Sequence, residues 1–373
     1  MDAPTFLSTL LRWYGSHGRD LPWRHTRDPY AIWLSEVILQ QTRVAQGQAY
    51  WERFMQRFPT VDRLAAASED EVLKLWQGLG YYSRARHLHA AAQQVAAMGR
   101  FPDTVATIRQ LKGVGDYTAA AIAAFAYNRP AVALDGNAYR VFARLLGIST
   151  PIDSSEGKRE FRMAGEHLFG LDDDASLPSA TDGNASLPSA TDGDATLPST
   201  AGGGPWREAN SALMDLGATI CTPQAPACAD CPFMDCCVAC RQGLTAVLPV
   251  KQPKRKPTER RMAYVWMRCH DSVALHRRGA GDIWQGLWEP PVYDDGTLPP
   301  FDGRLTLLEQ AVRHVLTHRV IVADFYVLQT AQRPSLPADY VWMPEAEATR
   351  YAVPRLVEKM LLRIAQSKTQ GNS

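Results

Sequence analysis

Apolar and polar residues follow two different patterns along the chain. Up to about residue 240, apolar positions recur at helical spacing in long stretches punctuated by Gly and Pro, which predicts a mostly helical domain over 1–240. Beyond 258, four segments have the composition of strands and one predicts a closing helix: MAYVWMRC, SVALHRR, VIVADFYVLQ and DYVWMP, then VPRLVEKMLLRIAQ. The second domain, over 259–366, is therefore expected to be α+β, with a disordered tail at 367–373.

Two segments interrupt this pattern. Residues 171–204 contain three copies of one decapeptide, which are rich in Pro, Gly, Ser and Asp and lack aromatic residues: ASLPSATDGN, ASLPSATDGD and ATLPSTAGGG. Such a segment cannot bury enough surface to offset the entropy of ordering, so we predict a disordered insert. The helical pattern resumes at Trp206, which puts the insert inside one domain. Residues 241–258 are rich in Pro, Lys and Arg and predict an extended basic linker.

The charge of the chain is unevenly distributed. The net charge is only +1, but the insert carries six Asp and no Lys or Arg, so the rest of the chain holds +7. A moderately basic body is compatible with binding DNA without requiring it. No apolar run has the length of a membrane span, and the first residues lack the basic and apolar regions of a secretory signal. We therefore expect neither membrane insertion nor secretion.

Six of the seven cysteines lie between Cys221 and Cys240. Four of them have the spacing C-x6-C-x2-C-x5-C. In a chain without a secretory signal, this spacing suits tetrahedral zinc or an iron–sulfur cluster better than disulfides. Spacing alone favours Cys237 over Cys236 or Cys240 as the fourth ligand. The predicted metal ligands are Cys221, Cys228, Cys231 and Cys237.

The segment LKGVGDYTAAAIAAFAY (111–127) predicts a tight turn between two helices. Gly113 and Gly115 would give the turn conformational freedom, and the next helix N-terminus would present N–H groups to a phosphate beside Lys112. Further along, LDGNAYRV places Asp135 at the start of another helix. Taken alone, Asp135 is explained equally well as a helix N-cap or as a catalytic carboxylate.

Glu36 lies in a segment that is apolar around almost its whole helical circumference. Asp28 predicts the N-cap of this helix and Pro29 its first residue. Because such a helix must be buried, two interpretations of Glu36 remain open. Either it is an unpaired carboxyl, whose pKa desolvation raises into the range of a general acid, or it pairs with a buried Arg.

Several motifs occur together in one order. They resemble the adenine DNA glycosylases (MutY family) of the helix-hairpin-helix superfamily, from about Phe6 to Ala365: LPW (21–23), WLSEVILQQT (33–42), GLGYYSRARHL (78–88), the hairpin, LDGN (134–137), MDLGATIC (214–221) and the cysteine cluster. The resemblance implies a monofunctional glycosylase that excises adenine mispaired with 8-oxoguanine or guanine in double-stranded DNA. It further implies one four-iron four-sulfur cluster on the predicted cysteine ligands, a monomer, and a cytoplasmic, nucleoid-associated location of bacterial type.

The resemblance also implies roles for residues of the reaction centre. Glu36 would protonate the adenine leaving group and activate the hydrolytic water, while Asp135 would stabilise the oxocarbenium-like sugar. Tyr117 and Asn137 would orient the site. Relatives that also nick the strand carry Lys at the position of Tyr117, so a Tyr there implies hydrolysis without a Schiff base.

Further residues are expected to contact the base or the DNA. Trp23 and Arg24 would form a wall of the adenine pocket, and Gln41 and Tyr81 would wedge into the base stack. For Trp23 and Tyr81 the alternative is ordinary core packing. The hairpin residues Lys112, Gly113 and Gly115 would hold the phosphate backbone.

The C-terminal domain resembles a Nudix fold, with GLWEPP (286–291) in the expected place, but it lacks the acidic helix that holds magnesium in Nudix hydrolases. Thr317 and His318 would lie in a loop that reads 8-oxoguanine, or they cap a strand. The family usually has Phe-Ser-His in this loop, so Leu316 is a departure. Ser211 is another, because the family often has Gln or Glu there, facing the adenine.

Two other functions stay open as alternatives. An endonuclease III-like glycosylase for pyrimidine lesions would share the fold, but Tyr117 and the C-terminal domain argue against it. A non-catalytic iron–sulfur protein that binds DNA would need neither Glu36 nor Asp135. Such a protein would release no base from an adenine:8-oxoguanine duplex.

Overall fold

The computed structural model describes residues 1–172, 204–253, 256–281 and 283–370, with side chains up to 367. The insert predicted at 171–204 lies outside the described residues except at its ends. The chain packs as two compact units, Met1–Gln40 with Met98–Pro253 and Gln41–Ala97 with Lys254–Ser373. Residues 41–97, which the sequence analysis placed in domain 1–240, thus group with the C-terminal part of the chain.

Helices form most of the first unit and the start of the second. Along the chain they are α1 (Ala3–His17), α2 (Pro29–Leu39), α3 (Val44–Arg57), α4 (Val61–Ala65), α5 (Glu69–Trp76), α6 (Ser83–Met98), α7 (Val105–Ile108), α8 (Asp116–Tyr127), α9 (Gly136–Leu146), α10 (Ser155–Leu168), α11 (Trp206–Asp215), α12 (Val238–Gln242), α13 (Glu345–Ala348) and α14 (Arg355–Gln370). Short 3-10 turns lie at Pro22–Arg24, Cys228–Asp230 and Met234–Cys236, and α11 continues into a π-helical turn at Leu216–Ile220. Within the described ranges, no helix is long and apolar enough to cross a membrane.

Two buried helices, α2 and α8, pack against each other in the first unit. Residues 119–124 of α8 are buried, and all but Ile122 are alanines. Short alanine side chains let neighbouring backbones approach closely. A separate aromatic core, which includes Phe6, Phe142 and Phe161, lies among α1, α9, α10 and α11. The predicted helical N-terminal domain is confirmed.

Local sequence signals set where these helices begin. Asp28 Oδ1 accepts a hydrogen bond from Tyr30 N at 3.0 Å, and Pro29 is the first residue of α2, as predicted. Between α7 and α8, Gly113 has φ = 76°, in the left-handed region that favours glycine. Gly115 caps α8 with φ = −97°, an extended conformation open to any residue. Of the two hairpin glycines, Gly113 is therefore the one whose backbone requires glycine.

The C-terminal part of the second unit is a mixed sheet covered by a helix. Its strands are β1 (Thr258–Cys269), β2 (Ser272–Arg277), β3 (Trp288–Glu289), β4 (Val292–Asp294), β5 (Arg304–Val315), β6 (Arg319–Thr330) and β7 (Tyr340–Pro344). The strand order is β3-β2-β1-β6-β5, with β1 parallel to β6 and the other pairs antiparallel. Helix α14 covers the buried side with Leu356, Val357 and Met360. The predicted α+β domain is confirmed, and α14 continues to Gln370, past the start of the predicted tail.

Strand β5 has no counterpart among the predicted strands. Its pairing with β6 changes register between Leu307 and Glu309 and again between Glu309 and Val312. Each irregularity adds a residue to the strand and reverses which side chains face the core. The strand therefore lacks the two-residue hydrophobic alternation that would reveal it in the sequence.

Helix α5 contacts the strands within the second unit. Trp288 Nε1 donates to Asp70 Oδ1 at 3.2 Å, and Arg277 Nη2 donates to Glu69 Oε1 at 2.7 Å. Gly286 has φ = 83°, and a Cβ added there would lie 3.2 Å from the side chain of Leu73. These contacts hold the helical segment 41–97 against the C-terminal sheet.

Candidate active site

Glu36 projects from α2 into the interior of the first unit, where only 7% of its surface is exposed. Burial first and the nearby Asp135 carboxylate second raise the pKa of its carboxyl, which is about 7 with all neighbours included. Tyr117 Oη donates a hydrogen bond to Glu36 Oε2 at 2.5 Å, which opposes this shift, as does the charge of Arg24. Near neutral pH, Glu36 is thus divided between its acid and its carboxylate forms.

Tyr117 is the second residue of α8, so the start of that helix aims its ring at Glu36. Burial, the neighbouring carboxylates and the bond to Glu36 together raise the pKa of Tyr117 well above its ordinary value. The phenol therefore stays protonated at physiological pH. It can donate a hydrogen bond but cannot act as an amine nucleophile.

Asp135 is the N-cap of α9. Its Oδ1 accepts from the backbone N–H groups of Asn137 at 2.9 Å and Ala138 at 2.7 Å, so the helix-cap interpretation is confirmed. Oδ2 accepts from the side-chain amide of Asn137 at 2.7 Å. Burial raises the pKa of Asp135 even though these hydrogen bonds lower it. The cap leaves room for a second role, because the same carboxylate acts electrostatically on Glu36.

Arg140 connects Asn137 with the loop that holds the cysteines. Arg140 Nη2 donates to Asn137 Oδ1 at 2.7 Å and to Gly217 O at 2.6 Å. Arg140 Nε donates to Cys221 O at 2.6 Å. Because Arg140 occupies the amide oxygen of Asn137, the amide nitrogen must face Asp135. Asn137 thereby orients the Asp135 carboxylate.

Arg24 is held by an acidic residue that the sequence analysis did not assign. Asp215, at the end of α11, is fully buried and accepts from Arg24 Nη1 and Nη2, both at 2.7 Å. Arg19 Nε also donates to Asp215, at 2.7 Å. One interpretation paired Glu36 with a buried Arg. The Arg24 guanidinium instead bonds to Asp215. Its positive charge still lowers the pKa of Glu36. The sequence did contain a signal for Asp215: an acidic residue within the otherwise apolar motif MDLGATIC indicates a buried carboxylate that needs a partner.

The remaining predicted contacts of the first unit lie in two places. Trp23 is buried in the 3-10 turn beside Arg24, as either interpretation of it requires. Lys112 is exposed in the hairpin turn. Asp116, the first residue of α8, is exposed and pairs with Arg109 at 2.7 Å, so a carboxylate shares this helix N-terminus with the predicted phosphate seat.

Four predicted DNA contacts belong to the second unit. Gln41 and Tyr81 are exposed and have φ of 60° and 47°, a left-handed conformation that is rare for such residues and is concentrated at functional sites. Tyr81 is 53% exposed, which excludes core packing as its role. Its Oη lies 3.2 Å from Thr317 Oγ1 in the turn between β5 and β6. His318 O accepts from Thr258 N, the start of β1, at 3.1 Å, so this turn also caps a strand.

The cysteines form a loop around Arg144 of α9. Arg144 Nη1 donates to Cys221 Sγ at 3.4 Å, and Cys237 Sγ donates to Arg144 O at 3.3 Å. Cys228 and Cys231 lie close enough to Cys221 and Cys237 to interact with them electrostatically. Burial is the main cause that raises the pKa of the Cys228 and Cys231 thiols. All are free thiols. The donors suit an iron–sulfur cluster, although no three Cys, His, Asp or Glu side chains in the described part of the chain are arranged to hold a single metal ion.

Family models match both parts of the chain. Residues 34–165 match the HhH-GPD superfamily of base excision DNA repair proteins, and residues 263–363 match a NUDIX domain. The first match spans Glu36, the hairpin, Tyr117 and Asp135. The fold and these matches therefore define the class: an HhH-GPD domain of the base excision DNA repair superfamily followed by a Nudix-like domain.

Individual relatives narrow the class. The adenine DNA glycosylase of Buchnera aphidicola subsp. Acyrthosiphon pisum is 30% identical over 76% of this chain and 73% of its own length. That of Mus musculus is 38% identical over 66% of this chain but 45% of its own length, so this chain spans less than half of the mouse protein. A solved thermostable thymine-DNA glycosylase is 28% identical, with a TM-score of 0.52, over 64% of this chain and 97% of that one. The chain belongs to the adenine DNA glycosylase family.

Proposed function

We propose that this chain is a monofunctional glycosylase that hydrolyses the N-glycosidic bond of adenine mispaired with 8-oxoguanine or guanine in duplex DNA. Support comes from the family, whose members are named for adenine excision. The observation that carries the proposal is the buried Glu36, whose pKa of about 7 makes it a usable acid at neutral pH, beside the Asp135 carboxylate.

The two carboxyl groups divide the reaction between them. Protonated Glu36 gives its proton to the departing adenine, and the electron pair of the glycosidic bond leaves with the base. The sugar acquires positive charge, which the Asp135 carboxylate stabilises. Glu36, now a carboxylate, accepts a proton from the water that attacks the sugar, which restores the acid. Tyr117 keeps Glu36 oriented in both forms, because its hydroxyl donates to one carboxyl oxygen throughout.

We further propose that Cys221, Cys228, Cys231 and Cys237 hold one four-iron four-sulfur cluster. Bound there, the cluster would fix the loop that follows α11, where Arg140 meets the backbone of Cys221. Iron and inorganic sulfide near four per chain in anaerobically purified protein would support it.

A duplex assay tests the proposed reaction. Incubation with duplexes that contain adenine opposite 8-oxoguanine, guanine or thymine should release adenine from the first two, and the strand should break only after alkali. Asp135→Asn should lose about a hundred- to ten-thousand-fold in single-turnover rate, because the developing sugar charge then lacks its anion. This variant also controls for contaminating glycosylases.

Two other results would point to the rival functions. Release of an oxidised pyrimidine with no release of adenine would indicate an endonuclease III-like enzyme. Tight duplex binding with no abasic product would indicate a non-catalytic DNA-binding protein. Strand breaks without alkali, with a covalent adduct trapped by borohydride, would contradict the monofunctional mechanism and implicate an amine such as Lys112.

We expect the β5–β6 turn to set the preference for 8-oxoguanine. The oxidised base has an additional carbonyl at C8, and its N7 is an N–H donor where guanine has an acceptor. The Thr317 hydroxyl or the His318 ring can accept a hydrogen bond from that donor. In a Thr317→Ala, His318→Ala double variant, the preference for adenine opposite 8-oxoguanine over adenine opposite guanine should fall several-fold, since one such bond contributes about 1 kcal/mol.

The matched control is Thr306→Ala, which removes an exposed hydroxyl from β5. It should leave the ratio of the two single-turnover rates unchanged. An undiminished ratio in the double variant would mean that another part of the chain reads the lesion.

A further inference from the structure

Two cysteines of the loop have no role in the proposed cluster, Cys236 and Cys240. They flank Cys237 in the sequence, but their surroundings differ. Cys236 is exposed, and its thiol donates to Phe233 O at 3.4 Å, within its own turn. Cys240 is partly buried and lies in α12. Of these two thiols, Cys240 is therefore the one that belongs to the interior of the loop.

Cys240 lies among the proposed ligands. Cys237 is the N-cap of α12, and Cys240 lies in the first turn of that helix. After burial, the nearby Cys240 thiol is among the groups that raise the pKa of Cys228 and of Cys237, so Cys240 lies close to both side chains. Cys237 and Cys240 are three residues apart, which places both on one face of α12, about one turn from each other. Five thiols, rather than four, thus lie close together in this loop.

We propose that Cys240 is a reserve ligand of the cluster, able to take the fourth coordination position in place of Cys237 while Cys221, Cys228 and Cys231 keep theirs. The proposal rests on the proposed four-iron four-sulfur cluster. The exchange transfers no electrons: the Cys240 thiol releases its proton and binds iron as a thiolate, while the displaced Cys237 thiolate takes up a proton.

One side of the cysteine loop would stay in place during this exchange. Cys221 stays fixed by the Arg144 guanidinium, and Arg140 holds its carbonyl, so one side of the loop does not depend on α12. Ala239 anchors α12 in the core, so the exchange involves the Cys237 and Cys240 side chains, one helical turn apart, rather than a sliding of the helix. This short helix ends at Gly243 in a left-handed conformation, φ = 70°.

The first experiment measures iron and inorganic sulfide per chain, and visible absorbance, in anaerobically purified full-length variants. Cys237→Ala should keep at least about half of the wild-type cluster, whereas Cys237→Ala, Cys240→Ala should keep almost none. Cys236→Ala is the matched control, and a Cys236→Ala, Cys237→Ala pair should resemble Cys237→Ala alone. If Cys237→Ala loses as much cluster as the pair with Cys240→Ala, the reserve role is wrong.

A second measurement uses variants that keep all four proposed ligands, Cys236→Ala and Cys240→Ala. A chelator under air should bleach the cluster of Cys240→Ala several-fold faster than that of Cys236→Ala or of the wild type, because a detached Cys237 then has no substitute. Equal bleaching rates in the three proteins would overturn the proposal. Wild-type protein that holds zinc and no sulfide would instead overturn the cluster itself, and the reserve ligand with it.

Discussion

Glu36→Gln should abolish excision and at the same time stabilise the folded protein above pH 7. A Gln keeps the shape of the side chain and can still accept from Tyr117, but it carries no transferable proton. The single-turnover rate should fall by about a hundred- to ten-thousand-fold, the usual contribution of a positioned acid. The same buried environment that makes Glu36 a good acid makes its ionised form unfavourable in the folded state.

The sign of the stability change follows from the pKa. Burial raises the pKa of Glu36 from 4.5 to about 7. Its contribution to stability is complete below pH 4.5, where the folded and unfolded chains are both protonated, and is lost as the pH rises through 7. The Gln variant does not ionise, so at pH 8 it should exceed the wild type by up to about 3 kcal/mol, and at pH 5 by less than about 1 kcal/mol.

Urea unfolding of both proteins at pH 5 and pH 8 measures this difference. Glu52→Gln is the control, because Glu52 is exposed on α3. This substitution should change neither the single-turnover excision rate nor the pH dependence of the free energy of unfolding. In the wild type, single-turnover excision should decline above pH 7 as Glu36 loses its proton. An excision rate that stayed level up to pH 9, with no gain in stability for the Gln variant at pH 8, would exclude Glu36 as the acid.

The sequence predicts the placement of Glu36 well, for a physical reason. A helix that is apolar on every side has no solvent-facing stripe, so a carboxyl on it must be buried. The Asp28 cap and Pro29 define where that helix starts, and the structure has both as predicted. Local rules of this kind act within a turn or two, which is why they can be read from a single chain.

Contacts between distant segments could not be read in this way. Tyr117 and Glu36 are separated by 81 residues, and Arg24 and Asp215 by 191. The resemblance suggested a role for Tyr117 and Arg24, yet neither partner follows from spacing. Strand β5 was missed because its irregular register removes the alternation. These features depend on how helices and strands pack, which propensity and periodicity do not specify.

Asp215→Asn should both destabilise the first unit and weaken Glu36 as an acid. Burial alone would raise the pKa of Asp215, but hydrogen bonds from Arg24 and Arg19 and the charge of Arg24 lower it, so the carboxylate is ionised. Removing its charge leaves the partly buried Arg24 without a counterion, a change that typically costs about 3–5 kcal/mol. Arg24 already lowers the pKa of Glu36 through its field. Without the Asp215 carboxylate to neutralise it, the charge of Arg24 should lower the pKa of Glu36 further.

The pH profile of excision therefore has a predicted direction. The pKa of Glu36 should fall in Asp215→Asn, so the decline of the single-turnover rate should begin at a lower pH than in the wild type. Asp103→Asn is the matched control, since Asp103 pairs with Arg129 at 2.6 Å but both side chains are almost half exposed. An exposed pair of this kind contributes at most about 1 kcal/mol, and its loss should not move the profile. If the two variants unfolded at the same urea concentration and shared one pH profile, Asp215 would have no part in tuning Glu36.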